Sequence, residues 1–299
     1  MTRIRSGFLF ALTGVVIFSF TLPMVKIALP SLSPWTITLG RMAIAGITAL
    51  IVLTVRRTPI PDRSLWKTIF FTGLGISFGF PIFSTLALQR TSSAHAAVII
   101  AGLPLATAVL AVLRHKERVA PLFWLGAVIG SLTLMVYAWH HGGSVGVDVF
   151  ADILLVLAVI SSAFGYSEGA LLTRYMPGWQ VVSWCVVMFL PISSLGALAT
   201  FVAGRDSHTI AVKGILAFLF VSFGSMYLGF FAWYRGLSVL GVARGSQVQL
   251  IQPILTLLWS SLLLHEHIGL ASIVAAVIVL SCVVLTQRAR HFAPVAPAD

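Results

Sequence analysis

The chain is a succession of long apolar runs, separated by short breaks that contain proline, glycine and charged residues. The runs lie at 6–29, 35–55, 65–88, 94–113, 120–139, 149–172, 179–203, 212–236, 243–264 and 270–287. A transmembrane helix needs about twenty consecutive apolar residues, whereas a barrel strand shows about ten residues of alternating polarity. Because these runs are long and continuous, they predict ten transmembrane helices. Residues 291–299 contain two prolines and no apolar run, which predicts a disordered tail.

Composition agrees with a protein that lives in a lipid bilayer. Of the 299 residues, 59% are hydrophobic and 9% are charged, and the mean hydropathy is +1.02. A soluble domain carries about 25% charged residues and could not bury this much apolar surface. Cys185 and Cys282 both fall inside apolar runs, which argues against a disulfide framework.

The basic residues indicate orientation rather than nucleic-acid binding. The formal net charge is +11, but the lysines and arginines stand at the ends of the apolar runs. Placing the N-terminus in the cytoplasm puts 14 of the 19 basic residues on that side and 4 on the other, with Arg41 inside the second run. The positive-inside rule therefore predicts a bacterial-type inner-membrane protein with both termini cytoplasmic.

The two halves of the chain repeat one another. Five residues recur 149 positions later: Leu88, Ala94, Pro104, Thr107 and Glu117 match Leu237, Ala243, Pro253, Thr256 and Glu266. Each unit has five helices, and an odd number makes the second copy enter the membrane from the opposite face. We therefore expect an all-α integral membrane protein built from two inverted five-helix repeats, at 1–143 and 144–290. Inverted repeats around one site are typical of transporters that expose this site to each compartment in turn.

At these residues the chain resembles the drug/metabolite transporter superfamily, in its ten-helix EamA-type branch. The resemblance rests on Ser92–Ala97, Pro104 and the loop Lys116–Arg118, together with their second copies at Ala243–Ser246, Pro253 and Glu266. The segment Ser19–Pro23 and the chain length resemble exporters of the YddG type, which carry amino acids, including aromatic ones. The resemblance implies export of amino acids and related metabolites. It also implies a central cavity among helices one, three, four, six, eight and nine.

The ninth helix carries a line of polar residues at helical spacing. Its members are Gly245, Gln249, Gln252, Thr256 and Ser260. Steps of three and four place them on one face. Amides are costly in hydrocarbon unless they are paired, so we expect this face to point inward. Contact between helices is the alternative role for each of these residues.

Aromatic and ionisable residues complete the predicted substrate site, because aromatic faces bind apolar groups and ammonium ions. The candidates are Phe20, Phe78, Phe80, His95, Phe164, Glu168, Tyr227, Gln249 and Gln252. For the aromatic residues, packing is the alternative. Glu168 is a candidate proton-coupling or ammonium site, or else an ion-pair partner of Arg174, and His95 is a substrate ligand or a helix cap. For Arg41 we expect a structural role, either paired with a carboxylate or reaching outward.

No catalytic constellation or metal site emerges from the sequence. His265-Glu266-His267 lacks the H-E-x-x-H spacing that places two imidazoles on one helical face. We therefore expect a transporter without cofactor or metal, whose partners are the bilayer and a small-molecule substrate, with no nucleic acid. Proton-coupled efflux of amphipathic cations is one alternative, and an intramembrane enzyme or sensor is the other. The oligomeric state stays open, and a monomer is compatible with the sequence.

Overall fold

The protein is described from a computed structural model that covers residues 2–115, 121–141, 148–204, 211–240 and 248–290. Within these ranges the chain is helical and contains no strand. The helices are α1 (Thr2–Ser19), α2 (Thr21–Ala28), α3 (Pro34–Val55), α4 (Trp66–Gly73), α5 (Phe80–Leu88), α6 (Ser93–Ile100), α7 (Leu103–His115), α8 (Pro121–His141), α9 (Val149–Leu172), α10 (Gly178–Met188), α11 (Leu190–Val202), α12 (Val212–Leu219), α13 (Gly229–Leu240), α14 (Ile251–Leu264) and α15 (Leu270–Arg290). Glu117, Ala243, Gly245 and the tail 291–299 lie outside the described residues.

Among the described residues, five helical stretches are long and apolar enough to cross a bilayer. They are Arg5–Ala28, Pro34–Val55, Arg63–Leu88, Val149–Leu172 and Val212–Val239. The pair α10 and α11, bent by 52°, forms a sixth if it is one span. Pro191 in the first turn of α11 explains this bend, because proline has no backbone N–H to continue the helix.

Four further apolar helices are shorter: Ser93–Thr107, Trp124–Thr133, Ile251–Leu264 and Leu270–Cys282. These helices and the longer stretches coincide with the ten apolar runs of the sequence. The prediction of an all-helical membrane protein is therefore confirmed, while the ten-span inverted topology stays a prediction. Outward-facing side chains are apolar, as lipid contact requires, with Val55 76% and Phe201 70% exposed.

Glycine lets α1 and α13 pack backbone to backbone. A Cβ atom at Gly14 would lie 2.9 Å from the backbone nitrogen of Trp233, and one at Gly236 would lie 2.6 Å from that of Ala11. Close packing of this kind drives helix association in lipid. Lipid tails are as apolar as large side chains, so the hydrophobic effect does not favour contact between helices there.

A second pair, α9 and the α4–α5 segment, packs in the same way. A Cβ atom at Gly165 of α9 would lie 2.6 Å from Cγ2 and 2.8 Å from the backbone nitrogen of Ile76. Ile76 belongs to a π-helical turn, Leu74–Gly79, that joins α4 to α5. A second π-helical turn, Phe220–Leu228, joins α12 to α13. Such turns are frequently found at functional sites.

Three other helix pairs are also in close contact. In α3, Gly46 faces the Val186 carbonyl of α10, because a Cβ atom added there would lie 3.1 Å from that oxygen. In α8, a Cβ atom at Gly130 would lie 3.3 Å from Cβ of Cys282 in α15. The helices α6 and α14 are joined by a hydrogen bond between the Ser93 and Ser260 hydroxyls, 2.6 Å apart. Together these pairs hold α1, α5, α6, α9 and α14 around the centre of the molecule.

Gly165→Ala tests the contact between α9 and the π-helical turn. The new methyl group meets the backbone of Ile76, which cannot move aside as a flexible side chain can, so we expect a destabilisation of about 1–3 kcal/mol. The midpoint of thermal unfolding in detergent should fall. Gly224→Ala is the matched control, since its Cβ atom meets only the Phe220 ring at 3.4 Å or beyond. Equal midpoints for the two variants would contradict the packing described here.

Candidate functional site

A cavity lies where α1, α2, α3, α5, α6, α7, α9, α13 and α14 meet. It has two neighbouring parts, with empty volumes of about 370 and 430 Å³ including their open sides. The parts share five lining residues, Phe18, Thr21, Phe80, Leu103 and Gln252, and we refer to both together as the central cavity.

Helices are interrupted beside the central cavity. The first span breaks between α1 and α2 at Phe20, and the break between α6 and α7 falls at 101–102. The predicted ninth helix is described as continuous only from Ile251, after a turn at 249–250. Pro104 and Pro253 line the cavity near the starts of α7 and α14. In a membrane protein, interrupted helices are tolerated where they line a cavity, and they mark the binding sites of many transporters.

The polar face predicted on the ninth helix lies against this cavity. Gln249, Gln252 and Thr256 are lining residues. The Thr256 hydroxyl donates to the Ser19 carbonyl oxygen at 3.0 Å, which joins α14 to the break after α1. By contrast, Nε2 of Gln249 and Oε1 of Gln252 are buried without a hydrogen-bond partner in the described part of the chain. Nε2 of Gln249 can donate a hydrogen bond to a solute, and Oε1 of Gln252 can accept one.

Arg41 supplies the charge of the central cavity. Its side chain extends from α3 into the cavity wall, and the residue is 2% exposed. Its Nε and Nη2 atoms have no hydrogen-bond partner among the described residues. We expected Arg41 to have a structural role, either paired with a carboxylate or reaching outward. Its side chain instead points inward and lines the cavity. Sequence spacing could not reveal this, because α3 is apolar all round and does not indicate which face points inward.

The nine residues predicted for the site occupy different environments. Phe80, Gln249 and Gln252 line the central cavity. The other predicted residues are not among its lining residues. Phe20 stacks on Trp259 with ring centroids 4.3 Å apart, and Phe78 packs against Phe189 at 5.6 Å.

Of the other predicted residues, Tyr227 and Glu168 are buried, and Phe164 is half-buried. Phe164 meets Phe71 with ring centroids 5.9 Å apart. The hydroxyl of Tyr227 hydrogen-bonds that of Ser183 at 2.8 Å. Glu168 is buried in α9. These positions indicate packing roles for the two aromatic rings in this conformation.

His95 belongs to a buried polar cluster that joins four helices. Its Nε2 atom lies 2.7 Å from Oδ1 of Asp152 in α9, and its ring stacks on Tyr137 of α8. The Tyr137 hydroxyl hydrogen-bonds that of Ser272 in α15 at 2.9 Å. Sequence reasoning missed Asp152 because it lies near the start of an apolar run, where a carboxylate indicates a helix end.

At one end of the molecule, α6 contacts the loop that follows α14. The Glu266 carboxylate accepts hydrogen bonds from the backbone N–H groups of Ser93 and Ala94, at 3.0 and 2.7 Å. A carboxylate is stabilised at a helix N-terminus by the unpaired N–H groups and the helix dipole. At the same end, the Lys26 ammonium donates to the Leu88 and Thr91 carbonyl oxygens, both at 2.7 Å. We refer to the contact of Glu266 with Ser93 and Ala94 as the Glu266 latch.

An exposed ion pair joins the segment that follows α5 to the segment that precedes α9. Arg90, which follows α5, pairs with Asp148, which precedes α9. The Arg90 guanidinium holds the pKa of the Asp148 carboxyl below its ordinary value. Asp148 also caps α9 by accepting from the backbone N–H of Phe150 at 2.8 Å. The pair is exposed to solvent, so its contribution to stability is small.

Comparison with known proteins agrees with this architecture. The chain is 38% identical over 288 residues to the uncharacterized transporter YdeK of Bacillus subtilis (strain 168), covering 96% of this chain and 99% of that protein. It is 24% identical to an uncharacterized transporter of Archaeoglobus fulgidus, over 92% of this chain and 96% of the relative. A solved crystal structure that is 20% identical has the same fold, with a TM-score of 0.64 over 94% of this chain and 98% of its own.

The sequence profile of the EamA-like transporter family matches the chain twice, at residues 5–139 and 149–287. The two matches together span nearly the whole sequence, including every helix that lines the central cavity. The chain therefore belongs to the EamA-like transporter family of multi-pass membrane proteins.

Proposed function

We propose that this transporter exports amino acids, including aromatic ones, and related metabolites across the bacterial inner membrane. Transport proceeds by alternating access to the central cavity. The observation that carries the proposal is the set of buried polar groups without partners, on Arg41, Gln249 and Gln252, beside interrupted helices. Polar groups that are left unpaired in a membrane protein are costly, and they mark solute pathways. The amino-acid class and the direction of transport come from the family resemblance.

The helix pairing supports two inverted repeats, 1–143 and 144–290, with ten spans and both termini in the cytoplasm. If the two halves are exchanged, the first span takes the place of the sixth and the eighth takes the place of the third. The pair α1 with α13 then becomes the pair α9 with α4–α5. The pairs α3 with α10–α11, α6 with α14 and α8 with α15 map onto themselves. Such pairing is expected of a two-fold axis in the membrane plane. The double match of the family profile and the two π-helical turns, in the third and eighth spans, agree with it.

Alternating access requires a closure that can open. The Glu266 latch joins the second half of the chain to α6 in the first half, and Ala97, which lines the cavity, lies one turn from it. We infer that the latch closes one side of the cavity and that rocking of the two halves breaks it. Glu117, the repeat counterpart of Glu266, lies outside the described residues.

Proton-coupled efflux of cations is the nearest rival function. Its carrier needs an anionic group at the binding site. The charged side chain among the described lining residues is an arginine, which repels a cation in a medium of low dielectric constant. This observation favours solutes that carry a carboxylate, as amino acids do.

Counterflow into proteoliposomes tests the proposed function. Vesicles that contain the purified full chain and unlabelled amino acid should accumulate the same labelled amino acid, because a carrier exchanges solute across the membrane. Gln249→Leu and Gln252→Leu should each lower the exchange rate about tenfold, since each removes a polar contact worth about 1–2 kcal/mol. The rate is measured with a panel of labelled aromatic and aliphatic amino acids at several imposed pH gradients.

The matched control is Gln89→Leu, an exposed glutamine after α5 that should leave exchange unchanged. All variants are first checked for insertion and monodispersity in detergent. No accumulation of any amino acid by the folded wild-type protein would overturn the proposed substrate class. Unchanged kinetics in both cavity variants would remove the two glutamines from the pathway.

Breaking the Glu266 latch should open one side of the cavity. In Glu266→Gln the charge that stabilises the α6 N-terminus is lost, and charge-assisted hydrogen bonds are worth about 1.5–3 kcal/mol. We expect Ala97→Cys, in a Cys185→Ser, Cys282→Ser background, to react at least several-fold faster with a membrane-impermeant maleimide when Glu266→Gln is added. Asp62→Asn, which removes a carboxylate from an exposed loop, should not change the labelling rate. Equal rates in all three proteins would rule out the latch as a closure.

A further inference from the structure

We propose that the solute carried through the central cavity is a small monoanion whose single carboxylate binds Arg41 and whose remainder is apolar or aromatic. An ammonium group on the solute is not required. This inference rests on the proposed function and narrows its substrate class. Amino acids are then carried by virtue of their carboxylate, and the corresponding carboxylic acids without the amino group are better ligands.

The guanidinium of Arg41 presents a free edge that fits a carboxylate. Nε and Nη2 lie on the same edge of the planar group, and these are the two atoms that lack a partner among the described residues. Arginine pairs with a carboxylate through two parallel N–H···O bonds, and the geometry of this edge matches the two carboxylate oxygens. A structural arginine would direct the same edge at a carboxylate or at carbonyl oxygens of the protein.

The charge of Arg41 has no counter-ion in the cavity. The polar side chains lining the same part are the neutral residues Thr21, Ser162, Tyr166, Ser225 and Gln252, and no acidic residue is among the described lining residues. The hydroxyls of Thr21 and Ser225 satisfy each other at 2.6 Å. The empty cavity therefore carries one unpaired positive charge, which is strongly unfavourable away from water.

Charge balance selects among solutes. A monocarboxylate neutralises the cavity completely. A zwitterion brings an ammonium group that finds no acidic partner, and a cation adds repulsion to the existing charge. A dianion such as a phosphate monoester leaves one negative charge without a partner. The preference for a monocarboxylate follows from the single arginine and the absence of acidic lining residues among those described.

The rest of the cavity wall is apolar and aromatic. Around Arg41 stand Phe18, Ile76, Phe80, Leu103, Met226 and Phe230. The rings of Phe18 and Phe230 lie with centroids 4.8 Å apart and form one wall. Such surfaces bind a hydrocarbon or aromatic body, with a ring fitting best against another ring in an offset or edge-on arrangement.

Four probes that share a phenyl ring separate these possibilities. They are 3-phenylpropanoate, phenylalanine, 2-phenylethylamine and phenyl phosphate, and binding to the full chain in lipid nanodiscs is measured by the rise in unfolding temperature with probe concentration. Because binding is read without flux, passive permeation does not interfere. We expect 3-phenylpropanoate to bind most tightly, phenylalanine and phenyl phosphate to bind more weakly, and 2-phenylethylamine to produce no rise.

Variants of Arg41 test whether this residue binds the carboxylate of the probe. Arg41→Gln should lower the affinity for 3-phenylpropanoate about tenfold or more, since it removes both the charge and the paired donors. Arg41→Lys keeps the charge without the planar edge and should give an intermediate affinity. Arg63→Gln, at an exposed arginine, is the control and should bind as the wild type does. If Arg41→Gln does not fold, Arg41→Lys and the order of the four probes decide the question.

The outcomes separate this inference from the proposed function. Binding of 2-phenylethylamine as tight as that of 3-phenylpropanoate, or an unchanged affinity in Arg41→Gln, would overturn the carboxylate site. Failure of all four probes to bind the folded wild type would overturn it as well, and amino-acid counterflow would still stand as evidence of transport. Tight, Arg41-dependent binding of 3-phenylpropanoate supports the site even if counterflow fails, which would count against transport alone.

Discussion

A polar group buried in a membrane protein cannot hydrogen-bond to water, so its partners must come from the protein or from a bound solute. The rest of this structure depends on how that requirement is met. Where polar side chains hold helices together, their hydrogen bonds are made within the protein. Lys26 donates to two carbonyl oxygens, Glu266 accepts from two backbone N–H groups, and Thr256 bonds the Ser19 carbonyl.

The central cavity shows the opposite arrangement. A guanidinium and two amides there, from Arg41, Gln249 and Gln252, keep atoms without partners in the described part of the chain. The hydroxyls of Thr72 and Ser77, which also lack a partner in that part, are neutral and cost less than a guanidinium to leave unsatisfied. The concentration of charge and amide groups beside interrupted helices supports the proposed solute pathway. A solute that completes these hydrogen bonds stabilises the conformation that holds it.

Much of the fold was predictable from the sequence, because hydrocarbon thickness sets the length of an apolar run. The π-helical turns inside the spans, at Leu74–Gly79 and Phe220–Leu228, could not be predicted. Their residues follow the same apolar pattern as the helices on either side. Gln249 and Gln252 could be placed on the cavity because amides are rare and costly in apolar runs. Phe20 and Tyr227 were expected at the site but pack elsewhere, as an aromatic ring suits a helix contact as well as a cavity wall.

The position of the Arg41 side chain could not be predicted from the sequence. Its helix is apolar on all faces, so only the three-dimensional packing reveals that the side chain points to the cavity. The proposed mechanism depends on the two halves lying in opposite orientations in the membrane. A single cavity faces each compartment in turn only if equivalent loops lie on opposite sides of the membrane.

The most direct test of that claim uses single cysteines at Lys116 and His267, which flank the repeat-related Glu117 and Glu266, in a Cys185→Ser, Cys282→Ser background. A membrane-impermeant maleimide is added to right-side-out and to inverted membrane vesicles. The account predicts that position 267 reacts only in right-side-out vesicles and position 116 only in inverted ones. Reaction of both positions from the same side would contradict it.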